Sequence, residues 1–146
     1  PDWVKPGTLL DDLSRRDFSS GAIAKAIDGS LIDPFGGVSD VENKILRFVG
    51  NPEQRIREDG IRTLRGLRFQ ITKGLVPDPE TYSALRSELA IEMLKCVSKE
   101  RVREELNKMF TTSTIDTLRL LQTLPDNMVE TLFSCGLRLD CTLRKG

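Results

Sequence analysis

Asp59 is followed by Arg62, Arg65 and Arg68, three arginines at intervals of three, in the stretch EDGIRTLRGLRF at residues 58–69. On an α-helix each residue advances about 100°, so steps of three do not hold one face. Over six residues the guanidinium groups spread along about 9 Å of axis and around about 120° of circumference. Such a set can wrap one object. Ile61, Leu64, Leu67 and Ile71 form the apolar stripe that anchors the same helix on a core. The opposite side is expected to carry Asp59, Arg62, Gly66 and Phe69, with Gly66 leaving backbone accessible. A carboxylate, an arginine and a gap suit a polar ligand. The alternative is a row of exposed charges in which Glu58 and Arg62 form an ordinary i, i+4 pair.

A second charged group, Arg15, Arg16 and Asp17, stands in RRDF. It immediately precedes a helix expected from Ser19, whose apolar set is Ala22, Ile23, Ala26 and Ile27. Free N–H groups in the first turn of that helix would be a natural neighbourhood for phosphate. The alternative here is a surface ion-pair cluster.

Several chemistries are excluded. The chain contains no histidine, which removes Ser-His-Asp and Cys-His catalysis and every histidine-containing metal site. Cys96, Cys135 and Cys141 are odd in number and lack CxxC spacing, which fits neither a zinc cluster nor a secreted disulfide framework. Packing is their expected role, in a reducing, cytoplasmic setting. Formal charge is zero over 146 residues, so net electrostatics do not announce a nucleic-acid binder. The segment from Arg47 to Lys73 is nevertheless basic. No stretch approaches the length of a membrane span. The chain starts at Pro1, without initiator methionine or signal peptide, and is expected to be a piece of something longer or a processed product.

The elements that must position these groups fall into two styles. Asp28-Gly29, Leu31-Ile32 and the turn closed by Pro34 and Gly36-Gly37 read as a small β element, followed by a short helix near 41–45 and a strand in ILRFVG. From Pro52 onward only helical periodicity is expected. Asp78 and Ser98 are N-caps, with Pro79 at the first helical position. Val102, Leu106, Met109 and Phe110 make one apolar face, and helices are expected over 113–124 and 126–135, the latter stopped by Gly136. The resulting fold is mostly α with a small α+β part at the start.

RRDF, LIDPFGG and EDGIRTLRGLRF, in this order and at these separations, resemble the class II tRNA nucleotidyltransferase and poly(A) polymerase family, which includes the CCA-adding enzymes. The resemblance is strong over about residues 8–106. It implies the C-terminal part of a nucleotidyltransferase head at 1–50, a helical neck with a nucleotide-recognition helix at 51–97 and a helical RNA-binding body at 98–146. The family's catalytic head carries a Gly-Ser motif and a DxD pair that hold two magnesium ions, and no GS followed by DxD occurs in this chain. The chain alone is therefore expected to be inactive, with Mg2+ bound only in a parent enzyme and no catalytic or metal residue here.

What carries over is recognition of CTP and ATP for addition to a tRNA 3′ end. Arg16 matches the arginine that contacts the nucleotide, with Asp17 in support. Asp59 and Arg62 match the carboxylate and arginine that read the base edge. Arg65 and Arg68 match positions that bind the nucleotide or stabilise its site. The chemistry agrees, because a carboxylate accepts from the exocyclic amine of C or A while a guanidinium donates to ring nitrogen or carbonyl, and G and U present the opposite pattern. Two departures stand out: Gly21 replaces an asparagine, and Gly60 would cost about 1 kcal/mol inside a helix. The other readings are a non-catalytic nucleotide- or RNA-binding protein and a helical interaction module.

Overall fold

The computed structural model describes residues 6–137. Helix α1 (Pro6–Ser14) is followed by a single 3-10 turn at Ser19–Gly21, then by β1 (Ala24–Lys25) and β2 (Leu31–Ile32), which pair antiparallel with Ala24 opposite Ile32. Next come α2 (Gly37–Glu42), β3 (Ile45–Leu46), α3 (Pro52–Glu58) and α4 (Ile61–Thr72). Strand β4 (Val76–Pro77) pairs parallel with β3, and α5 (Pro79–Leu85), α6 (Glu88–Lys95), α7 (Lys99–Thr112), α8 (Thr114–Gln122) and α9 (Asp126–Phe133) complete the described chain. The fold is mostly helical with small two-stranded sheets.

The helix expected from Ser19 to Ile27 does not form. Asp28 folds the chain back instead, its Oδ1 accepting from the Ser30 N–H at 2.9 Å and the Ser30 hydroxyl at 2.6 Å, and Gly29 supplies the positive φ of the turn. Upstream, the Ser19 N–H donates to the Arg47 carbonyl and the Val49 N–H to the Asp17 carbonyl, each at 2.9 Å, so Phe18 lies extended beside Phe48. The apolar set is split, with Ala22 buried and Ile27 89% exposed. Arg15 and Arg16 consequently sit just past the C-terminal end of α1, and a single 3-10 turn, in place of the expected α-helix, follows them.

Asp33 sets the start of α2, earlier than expected, by accepting from the N–H groups of Gly37 and Val38 at 2.6 and 2.9 Å. The second half keeps its expected caps. Asp78 accepts from the Thr81 N–H at 3.0 Å, Ser98 from the Arg101 N–H at 3.3 Å, and Gly136 takes a positive φ beyond α9. Strand β4 was not expected. It arises because the Val76 and Asp78 N–H groups reach the carbonyls of Lys44 and Leu46 at 2.7 and 3.1 Å, a pairing between residues some thirty positions apart.

One hydrophobic core runs from Phe18 to Cys135 with α4 at its centre, contributing Ile61, Leu64, Leu67 and Phe69. Leu13, Ala22 and Val49 form a small second cluster beneath α1. Gly66, expected on the ligand side, is buried: a Cβ there would stand 2.8 Å from Leu85 Cδ2 and 2.9 Å from Phe18 Cζ. Phe18 packs over it, with ring centroids 4.6 Å from Phe48 and 5.6 Å from Phe69. Phe69 is buried in the core as well, and its ring also lines the cavity that Asp59 and Arg62 face. Cys135 packs as expected, whereas Cys96, at the end of α6, is exposed because that position turns away from the core. Cys141 lies outside the described residues.

Candidate functional site

EDGIR is not one helix. α3 stops at Glu58, Asp59 is extended with φ −160° and ψ 115°, and Gly60 leads into α4. The break has a tertiary cause: a Cβ on Gly60 would lie 2.2 Å from the carbonyl oxygen of Met93, so only glycine allows α6 to cross this junction. The price expected for a helical glycine does not arise, since Gly60 stands at the helix entrance. Freed from the helix, the Asp59 carboxylate accepts from the Ile61 N–H at 3.2 Å and faces an open cavity of about 420 Å³.

That cavity lies between the end of α1, the 3-10 turn, the α3–α4 junction, α4 and the start of α7. It brings together Arg16, Asp17, Asp59, Arg62 and Arg65 from the sequence expectation. It also recruits Arg15, Lys73 and Arg101, which that expectation missed. Six cations against two carboxylates line it, so a neutral chain concentrates positive charge at one place suited to a polyanion.

Each charged group is held in place. Arg62 donates to the carbonyls of Arg15 at 2.9 Å and Arg55 at 3.2 Å and to Glu58 at 3.4 Å, so three of its five N–H donors are engaged and two remain. Arg65 Nε donates to Asp17 Oδ2 at 2.5 Å, while Asp17 Oδ1 accepts from the Phe18 N–H at 2.8 Å. Arg16 pairs with Asp12 at 2.9 Å and is half exposed. Lys73 sits 4.4 Å from the centroid of the Phe69 ring. Arg101, on α7, grips Asp59 with both terminal nitrogens, at 3.3 and 3.0 Å. Burial tends to raise the Asp59 pKa, but the Arg101 hydrogen bond, the Ile61 N–H and the charges of Arg101 and Arg62 outweigh it and hold the carboxyl below its ordinary value.

Arg68 is elsewhere. It is paired with the buried Glu105 of α7 and lies over the Phe69 ring, 4.7 Å from the centroid. Six residues beyond Arg62 the helix has turned about 120° away from it, enough to leave the cavity and meet α7. The three arginines therefore do not wrap one object. They fan out to the α1 end, to Asp17 and to Glu105. Gly21 lines the cavity, and a Cβ there would meet nothing closer than Asp17 Oδ1 at 3.9 Å, so the missing asparagine leaves open space.

Residues 2–47 match the family model described as the Poly A polymerase head domain, and residues 74–125 match the one described as the probable RNA and SrmB-binding site of polymerase A. The chain belongs to the CCA-adding enzyme-like tRNA nucleotidyltransferase and poly(A) polymerase family. It is 41% identical over 102 residues to the CCA-adding enzyme of Bacillus subtilis, a match spanning 70% of this chain and 25% of that protein. Among solved structures it resembles the Bacillus stearothermophilus CCA-adding enzyme in complex with CTP, with TM-score 0.74 and 37% identity over 80% of this chain and 29% of the other. It also resembles the Thermotoga maritima CCA-adding enzyme complexed with tRNA-CCA, with TM-score 0.74 and 26% identity over 92% and 33%. The chain thus spans about a quarter of the length of the curated relatives it matches.

The magnesium pair that the resemblance implies finds no fitting donor set among the described residues. Among the described residues no three acidic or thiol side chains group to hold a metal ion, and the carboxylates of the cavity are engaged by guanidinium groups. No helix of the described residues is long and apolar enough to cross a membrane.

Proposed function

We propose that the cavity is the nucleotide-recognition site of a template-independent RNA nucleotidyltransferase that adds CCA or A to tRNA 3′ ends in the cytoplasm. In this reading the chain supplies recognition rather than bond-making, and Mg2+ acts in the parent enzyme on residues outside this chain. Residues 1–50 are the end of a head, 51–97 the neck and 98–146 an RNA-binding body. The observation that carries the reading is the convergence of Arg16, Asp17, Asp59, Arg62 and Arg65, drawn from three segments, on one basic cavity.

Asp59 accepts from the exocyclic amine of cytosine or adenine, and the two uncommitted N–H groups of Arg62 donate to the neighbouring ring nitrogen or carbonyl. Fixing Arg62 on backbone carbonyls limits the side-chain entropy lost when a base docks. Arg16 and Arg65 face sugar and phosphates, reading no base, and Asp17 orients Arg65. Arg68 serves the site by fastening α4 to α7. The CTP complex of the Bacillus stearothermophilus relative and the tRNA complex of the Thermotoga maritima relative support the choice of nucleotide and RNA.

The test is equilibrium binding of CTP, ATP, UTP and GTP to the chain and to Asp59→Ala, alongside thermal melting. Wild type is expected to prefer CTP and ATP, and the variant to lose about 1–3 kcal/mol of that preference while remaining folded. Unchanged preference in a folded variant would return Asp59 to an ordinary charged loop.

A further inference from the structure

Five of the six cations that line the cavity already hold a carboxylate, at distances from 2.5 to 3.4 Å, Arg62 with Glu58 and Arg65 with Asp17 among them. The sixth, Lys73, pairs with no carboxylate among the described residues. It is exposed, and its ammonium stands 4.4 Å from the centroid of the Phe69 ring. A paired guanidinium must share its charge with a carboxylate when an anion arrives. The charge of Lys73 meets that anion without a competitor.

Its place along α4 gives that charge a direction. Lys73 directly follows the last residue of α4. Relative to Arg62 it lies about 16 Å further along the helix axis and only about 20° around it. Arg68 has turned out of the cavity, and Lys73 has turned back in. The cavity is therefore a trough along α4 with Asp59 and Arg62 at one end, Arg65 partway and an unneutralised ammonium at the other. A nucleoside triphosphate has the same polarity, with an uncharged base edge at one end and its greatest negative charge on the phosphates farthest from the base.

We infer that Lys73 binds the phosphates farthest from the base and makes the trough prefer a nucleoside triphosphate to the monophosphate. The inference rests on the reading of Asp59 and Arg62 as the base-reading pair, which sets the direction in which the nucleotide lies. A lysine suits the task, because its ammonium is a compact point charge with three donors on a flexible stem and needs no fixed orientation of the phosphate it meets. A structural role is the competing account: a cation at a helix C-terminus complements the helix dipole, and this one also covers the Phe69 ring. That account explains why a cation stands at the end of α4. It does not explain why, of six in one cavity, this one has no counter-ion among the described residues.

The experiment measures affinity of the chain for CTP, UTP, CMP, cytidine and inorganic tripolyphosphate, and for a short RNA ending in CC. It compares wild type with Lys73→Gln, Lys73→Met, Lys73→Arg and Asp59→Asn, with melting curves for each. Lys73→Gln and Lys73→Met are expected to lose about fivefold in affinity for CTP, the loss of one solvent-screened charge-assisted contact, and to bind tripolyphosphate more weakly too. Both should bind CMP and cytidine as wild type does and keep the CTP-over-UTP preference, and Lys73→Arg should retain most of the CTP affinity. Asp59→Asn should do the reverse, losing the base preference and keeping the ratio of CTP to CMP. A folded neutral variant that binds CTP as wild type does, or that weakens CTP, CMP and cytidine alike, overturns the inference and leaves the base-reading pair standing. Weaker binding of the RNA with unchanged CTP affinity also overturns it, by giving Lys73 to an RNA phosphate. If Asp59→Asn keeps the base preference while Lys73→Gln loses CTP relative to CMP, the phosphate contact stands and the base-reading pair falls. If wild type binds neither CTP nor tripolyphosphate at millimolar concentration, both fall. Should Lys73→Gln not fold, Lys73→Met, which keeps an apolar stem over Phe69, decides, and failure of both to fold makes Lys73 structural and overturns the inference.

Discussion

At the N-terminal end of α4, Arg62 commits three N–H groups to carbonyls and Glu58 and keeps two beside an open cavity, whereas at the other end Arg68 lies outside that cavity and is closed against the buried Glu105. Both residues belong to one three-residue repeat on one helix. The difference lies in their partners. Two of the Arg62 bonds go to backbone carbonyls, which do not neutralise it, and Glu58 is shared with Arg55 at 2.8 Å, so the Arg62 end retains charge and donors for a ligand. A buried carboxylate takes the charge of Arg68 and leaves a fastening between helices. Arg65 stands between them in position and in behaviour, held by Asp17 at 2.5 Å yet a third exposed on the cavity.

The largest way to break this comparison is to remove the junction that lets the open end exist. A Cβ at Gly60 meets backbone, the Met93 carbonyl carbon at 2.6 Å as well as its oxygen, and neither can move without shifting α6. Gly60→Ala is expected to cost about 3 kcal/mol or more in urea denaturation, the upper reach of overpacking. A loss below about 0.5 kcal/mol would mean that α6 yields easily and that the helix break has another cause.

The closed end is tested next. In Arg68→Ala the Glu105 carboxylate stays buried with only the longer contacts to Arg65 at 4.0 Å and Lys108 at 3.9 Å. Removing one partner of a buried pair typically costs 3–5 kcal/mol, and these residual contacts bring the expectation to about 2–3 kcal/mol. Nucleotide preference should be unchanged at concentrations where the variant is folded. A shift in CTP-over-UTP preference without loss of stability would move Arg68 from fastening to recognition.

The same contrast separates what was legible in the sequence from what was not. The stripe of Ile61, Leu64 and Leu67, the caps at Asp78 and Ser98 and the stop at Gly136 depend on residues within about one turn of each other, and local pattern suffices for them. The membership of Arg16, Asp17, Asp59, Arg62 and Arg65 in one cavity was visible through motif order. The role of Gly66 was not, because Phe18 reaches it from 48 residues away. Nor was the strand at Ala24–Lys25, where the turn through residues 27–29 and the pairing of residues 17–19 with residues 47–49 override a helical apolar spacing. Arg101 was hidden for the same reason: in its own segment it is one charge among several on the polar side of α7, and only the packing of α7 on α4 delivers it to Asp59.

The smallest expected effect is the most direct measure of charge at the open end. The Asp59 carboxyl is held below its ordinary value, so its folded pKa lies beneath the unfolded one, which is about 4. Between the two, the unfolded chain binds more protons, and stability rises with pH. The contribution is complete above about pH 4 and is lost as pH falls through the folded pKa. Because the side chain is 37% exposed and Arg101 51%, water screens the pair and the contribution stays below about 1 kcal/mol. Comparing urea midpoints of wild type and Asp59→Asn isolates it, since Asp28, whose carboxyl is also lowered by its bonds to Ser30, is common to both proteins and cancels. Wild type is expected to be slightly the more stable at pH 7, with the gap closing by about pH 3 or below. A gap of the same size at both ends of that range would show that the shape of the side chain, and not its charge, holds the α3–α4 junction, which would make the open end of α4 structural in the same sense as the closed one.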